Sequence, residues 1–194
     1  MRYIYVIIND EKEVGTGEKF EFPFFDEKKF KRMNEQGFSI FKTANPMIGV
    51  KRGEQYVQEL KHIFCSYEFE GDIDKKVNAM NTLIEYCEPT KIIETGAGID
   101  VLWEIKNTDP FNIEEYKEVL KSVQGYSRKL LGTCKIDDVA GILRVENFED
   151  KSTLEDVMCS IVFESENKYS YRFLDNKFGE FKERSLNSSG FTPF

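Results

Sequence analysis

Histidine occurs once in this chain of 194 residues, at position 62. That excludes a histidine-rich metal centre and any mechanism that needs two imidazoles. The four cysteines, Cys65, Cys87, Cys134 and Cys159, lie far apart with no Cys-x-x-Cys pair. Neither a zinc site nor a disulfide framework is indicated, and reduced thiols in a cytoplasmic protein are expected. No apolar run approaches the roughly 18 residues of a membrane span. The opening "MRYIYVIINDEKE" lacks the long apolar core and small-residue cleavage site of a secretory signal and reads as a first strand. A basic excess is missing as well: 27 Lys and Arg face 35 Asp and Glu, a formal charge of −8. A protein that coats nucleic acid with its whole surface is therefore excluded.

What the chain does have is aromatic bulk, with 17 Phe and 9 Tyr, enough to fill the core of one domain spanning residues 1–194. Local basic clusters occur at Lys28, Lys29, Lys31 and Arg32, at Lys75 and Lys76, and at Arg128 and Lys129; such runs are ordinarily solvated helix faces. Strands are predicted for "RYIYVIIN", "FSIFKTAN", "IFCSYEFE", "TKIIET", "DVLWEI", "VAGILRV", "VMCSIVFE" and "YSYRFL". Helices are predicted for "DEKKFKRMNEQG", ending at Gly37, for "GEQYVQELKHI", and for the amphipathic stretches "DIDKKVNAMNTLIEYC" and "NIEEYKEVLKSVQGYSRKLL". The tail "LNSSGFTPF", residues 186–194, reads as a loop or frayed end. The whole is a mixed α/β chain with helices crossing between strands.

Chemistry concentrates at a few places. Glu68 and Glu70 flank Phe69 in "YEFEG". Positions two apart on a strand point the same way, and two parallel carboxylates are a natural seat for a hard divalent cation. Chance alone supplies roughly 6 such acid pairs in a chain this acidic, so the pair is a weak signal by itself. Asp137 and Asp138 precede "VAGILRV", where a polar turn is the simpler reading. Arg144, inside that apolar run, needs a carboxylate or a phosphate if it is buried. Gly96-Ala97-Gly98 marks a turn, too short to claim a phosphate-cradling loop.

In order and spacing these pieces resemble the primase-polymerase domains of the archaeo-eukaryotic primase superfamily found in phage and plasmid replication proteins. "KRMNEQGFSIFKTANP", "FCSYEFEGDIDKK", "PTKIIETGAGIDVLWEI" and "DDVAGILRVENFEDK" are similar to successive motifs of that group, over residues 28–165. The resemblance implies a mixed, largely antiparallel sheet with an RRM-like catalytic core. It places Glu68, Glu70 and Asp138 on the three metal carboxylates that would hold Mg2+ or Mn2+. Gly98, Asp100, Arg144 and Lys151 fall on nucleotide-binding positions, Asp100 replacing a histidine that contacts phosphate. Implied partners are single-stranded or primed DNA and nucleoside triphosphates, with a replicative helicase as a further one and no membrane.

Departures from the pattern are as informative. Both aspartates of the first motif are glutamates, and one added methylene shifts the carboxylate by about 1.5 Å where Mg2+ wants contacts near roughly 2.1 Å. Leu102 stands for a tyrosine, Gly141 for an arginine, and Glu146-Asn147 for Pro-Gly. A carboxylate at position 100, about 4 Å from a phosphate oxygen, repels it by up to roughly 4 kcal/mol at an effective dielectric near 20, unless a bound cation reverses the local field. Three functions follow: a DNA primase/polymerase-like nucleotidyltransferase, a catalytically degenerate module that binds DNA or a replication partner, or a metal-dependent nuclease using the same acids.

Overall fold

The computed structural model describes residues 2–9, 19–69, 71–106, 112–131, 139–152 and 156–181. Of the residues singled out above, Glu70, Cys134, Asp137, Asp138 and the tail 186–194 lie outside these ranges.

Side-chain caps begin each helix. Asp26 accepts from the Lys29 N–H at 3.0 Å to open α1 (Glu27–Glu35), and Gly37, at φ 94°, ends the segment in a conformation glycine adopts freely. Phe25, just before the cap, meets Phe30 in the helix with ring centroids 5.4 Å apart, a hydrophobic staple that fixes the entry angle. Asp72 caps α2 (Ile73–Tyr86) through the Lys75 N–H at 3.0 Å. Asn112 caps α3 (Ile113–Leu131) through the Glu115 N–H at 3.1 Å. Ser170 caps α4 (Tyr171–Phe178) through the Phe173 N–H.

Two sheets divide the strands. The first has the order β2-β1-β3-β7, with β1 Tyr5–Asn9, β2 Lys19–Phe22, β3 Phe38–Thr43 and β7 Ile142–Arg144, antiparallel throughout. The second centres on β6 (Gly98–Ile105), which pairs antiparallel with β4 (His62–Glu68) on one side and β5 (Lys91–Glu94) on the other. β10 (Ser160–Glu164) adds to β5, and β11 (Lys168–Tyr169) supplies the parallel pairing, at the end of β6. A small ladder joins β8 (Glu149–Asp150) to β9 (Val157–Met158). The architecture is thus mixed α/β with mostly antiparallel sheets and four helices among the described residues.

Apolar alternation sets the two faces of the second sheet. Ile63, Cys65 and Tyr67 of β4 and Val101 and Trp103 of β6 join the main core with Tyr116, Val119, Val123 and Tyr126 of α3. Ser66, by contrast, shares the other face with Asp100 directly opposite, as Phe64 does with Leu102. A second, smaller core of Ile7, Phe30, Ile40, Val145 and Phe148 lies between α1 and the first sheet.

Three expectations give way. "GEQYVQELKHI" is not a helix: only Glu54–Tyr56 make a 3-10 turn, and Val57 is extended and bridges Met47. Backbone pairing with the 46–48 segment wins there, through Ile48 N–H to Tyr56 O at 2.6 Å and Gln58 N–H to Pro46 O at 2.8 Å. "YSYRFL" is a strand only at Tyr169; Ser170 caps a helix that takes the remainder. Finally, Cys65 is disulfide-bonded, so not every thiol is reduced; Cys87 and Cys159 are free and buried.

Candidate functional site

The site grows from the register of β4 and β6. Gly98 stands opposite Glu68, and Asp100 opposite Ser66. The two strands approach so closely at Gly98 that a Cβ there would lie 1.8 Å from the Tyr67 carbonyl oxygen. Glycine is required here by contact, which is why the Gly-Ala-Gly corner ends where it does. Glu68 is exposed at the end of β4, while Tyr67 and Phe69 beside it are buried.

Asp100 is 1% exposed and both of its carboxylate oxygens accept hydrogen bonds. Ser66 Oγ donates to Oδ1 at 2.6 Å, and the Arg144 backbone N–H donates to Oδ2 at 2.8 Å. The second of these bonds ties β6 of one sheet to β7 of the other. Burial pushes the Asp100 carboxyl above its ordinary value, against the opposing pull of Arg144 and Ser66.

Arg144 finds the anion that its burial demands within the protein. Its Nε lies 2.6 Å from Asp150 Oδ2, its Nη2 donates to Ser152 Oγ at 2.9 Å, and its guanidinium sits 5.2 Å from the centre of the Phe41 ring. Asp150 also accepts from the Gly96 N–H at 3.2 Å and from Ser152 Oγ at 2.7 Å. Burial works to raise the Asp150 carboxyl, but Arg144 and Ser152 outweigh it and leave it below the ordinary range. Burial likewise works against the Arg144 charge, and Asp100 and Asp150 restore it. Lys151 is engaged too: its Nζ lies 2.5 Å from Glu149 and 2.6 Å from Asp156.

Glu68, Gly98, Asp100 and Arg144 therefore converge at one end of the β4–β6 ladder. Glu68 is the one member of the proposed acid triad within the described residues. No group of three or more His, Cys, Asp or Glu side chains among them could hold a metal ion. The described donors do not by themselves form a divalent-cation seat, because Asp100, the neighbouring acid on that face, already has a donor on each oxygen.

Further along β6 the two sheets open into a cleft of about 870 Å3 lined by Tyr3, Tyr5, Lys42, Lys61, Lys91 and Lys168, among others. Its cations are tempered by acids: Lys168 lies 2.9 Å from Glu104, Lys91 3.1 Å from Glu164, and Lys42 3.6 Å from Glu146. His62 lines the same cleft, with Nδ1 2.8 Å from the Ala44 carbonyl; burial lowers its pKa to about 4. Asn45, fully buried, accepts from the N–H groups of Lys61 and His62 and donates to Tyr116 Oη, fixing the start of β4 against α3.

Sequence reasoning did not find Ser66, Asp150 or these lysines as site residues. Ser66 becomes visible only once β4 and β6 are in register. Asp150 was not singled out either, because Glu146 and Glu149 lie nearer to Arg144 in the chain and only the fold brings Asp150, on β8, to the guanidinium.

No family model matches the chain, and no curated protein is similar to it in sequence. Solved structures do match. The fold is that of primase-polymerase domains. The AEP domain (PP-N190) of the cyanophage S-2L primase-polymerase aligns with a TM-score of 0.68 at 14% identity, over 91% of this chain and 89% of that one. The catalytic domain of primase RepB', in complex with initiator DNA, aligns with a TM-score of 0.61 at 12% identity, over 97% and 91% of the two chains. A second structure of primase RepB' gives 0.59 at 12% identity, with 92% of this chain covering 57% of that one.

Proposed function

We propose that this chain is a primase-polymerase-fold domain of a phage or plasmid replication system that binds DNA or a replication partner without turning over nucleotides. The observation that carries this reading is the destination of its charges. Asp100, where phosphate contact is expected, is buried between Ser66 and the Arg144 N–H, and the cations at Arg144 and Lys151 face Asp150, Glu149 and Asp156. A triphosphate arriving there would have to displace carboxylates from their own partners, and Asp100 would add repulsion. DNA binding draws support from the lysine- and tyrosine-lined cleft and from the RepB' domain, whose structure contains initiator DNA.

A second reading, metal-dependent DNA primase or polymerase activity, is favoured by one observation: Glu68 is exposed at the strand end on the same face as Asp100. In that case Glu68, Glu70 and Asp138 would hold Mg2+ or Mn2+, which supplies charge neutralisation at the transferring phosphate.

Calorimetry with a deoxynucleoside triphosphate and Mn2+, alongside primer extension and dinucleotide synthesis on a single-stranded template, separates the two. The proposed module binds DNA and gives neither nucleotide binding nor product. Tight metal-dependent nucleotide binding, or extension lost in Glu68→Ala, replaces it with the enzyme. Metal-dependent DNA cleavage abolished by Glu70→Ala would instead assign a nuclease.

A further inference from the structure

Three of the four exposed phenylalanines among the described residues, Phe20, Phe24 and Phe25, lie within six positions of one another, immediately before α1. Phe24 is 58% exposed. The staple to Phe30 accounts for Phe25, but no ring in the core accounts for Phe24. A large apolar ring held in water beside a helix is a contact surface more often than an accident when it recurs in a cluster.

Charge on this corner is arranged to match. Three of its acids are occupied: Glu27 pairs with Lys31 at 2.7 Å, Glu21 with Lys19 at 3.3 Å, and Asp26 caps the helix. Lys28 and Arg32 have no carboxylate partner among the described residues, and their spacing of four puts them on one exposed stripe of α1. Lys29 stacks over the Phe22 ring at 3.8 Å, so cation and aromatic are already interleaved. The corner also adjoins the cleft. Tyr5, which lines that cleft, meets Phe25 with ring centroids 5.3 Å apart.

We propose that this corner is a docking surface for single-stranded nucleic acid. Phe24 offers a face on which a base stacks, Lys28 and Arg32 neutralise phosphates, and Tyr5 carries the track into the inter-sheet cleft. Rings plus separated cations fit a strand whose bases are unpaired, because a duplex hides its base faces and presents phosphate alone. The inference rests on the DNA-binding reading above and gives it an address.

Fluorescence anisotropy with a labelled oligothymidylate, titrated over a range of salt concentrations, tests it on the full chain. Phe24→Ala is expected to weaken binding by about fivefold or more, from the loss of one stacked base. Lys28→Gln with Arg32→Gln is expected to flatten the plot of log affinity against log salt by about 1.4. Both changes are on the surface, so an unaltered circular dichroism spectrum and melting curve are expected. Wild-type protein that does not bind overturns the DNA-binding reading and this inference together. Wild-type binding that is unchanged in these variants, but weakened by Lys61→Gln with Lys91→Gln, overturns this inference alone and leaves the cleft as the site. Variants that lose affinity for anionic vesicles while keeping their oligonucleotide affinity also overturn it, and assign the corner to a membrane surface.

Discussion

Two positions on one strand, Asp100 and Glu104 of β6, carry the same functional group into opposite surroundings. Asp100 is sealed between the sheets, its oxygens held by Ser66 and the Arg144 N–H. Glu104, four residues on and on the same face, opens into the cleft and meets Lys168 at 2.9 Å and Lys61 at 4.0 Å. The first pairing lies in a dry junction where an unmatched charge is costly to bury. The second is solvated and screened. Position relative to the sheet junction decides whether a carboxylate is a structural tie or an adjustable rim charge.

The largest expected effect comes from emptying the dry junction. Arg144→Met leaves Asp100 and Asp150 buried without their shared cation, and should cost about 3–5 kcal/mol in urea denaturation. A loss under about 1 kcal/mol would mean that the junction is wet.

Next come two variants that should move in opposite directions with pH. The Asp100 carboxyl is held above its ordinary value, first by burial. Such a group contributes stability that is full below the unfolded pKa of about 3.9 and is lost as pH rises through the folded value. Asp100→Asn keeps both hydrogen bonds, since its amide can donate to Ser66 Oγ, so it should gain on wild type as pH climbs above about 4. The Asp150 carboxyl lies below its ordinary value, because Arg144 and Ser152 outweigh burial. Its contribution is present above about 3.9 and lost as pH falls through the folded value, so Asp150→Asn should fall behind wild type as pH rises towards about 3.9 and then stay level with it. Denaturation curves from pH 2 to 7 in which Asp100→Asn does not gain on wild type above about pH 4, or Asp150→Asn does not fall behind it as pH rises towards about 4, would contradict the contrast.

His62 sharpens the comparison from within the cleft. Burial first, against the Ala44 carbonyl, lowers its pKa to about 4. The neutral ring therefore contributes stability present above about pH 6.5 and lost as pH falls through the folded value. His62→Gln should flatten that window by on the order of 2 kcal/mol, discounted for the partial exposure of the side chain. The smallest effect belongs to the rim. Lys168→Met should change stability by less than about 1 kcal/mol, and any loss should shrink further in high salt.

Much of this was legible before any coordinates, where the cause was local. The stretches predicted as helices from Asp26, Asp72 and Asn112 are helices, and the predicted Gly-Ala-Gly turn lies between β5 and β6. The order of motifs carried the fold, although identity to the aligned structures is only 12–14%. Where a distant partner intervened, the reading failed. Val57 paired with Met47 in place of helix, and the edge strand at Lys19–Phe22 was missed because its burial pattern is almost wholly exposed.

The sequence alone determined which acids and cations this chain owns and, through the order of its motifs, pointed to the primase-polymerase fold. Only the tertiary structure decided what those charges face. Arg144 could have met a phosphate or a carboxylate with equal chemical reason. The packing of β7 against β6, and the short loop that returns Asp150, settled it for the carboxylate, because a buried cation is stable only where the fold brings an anion to it.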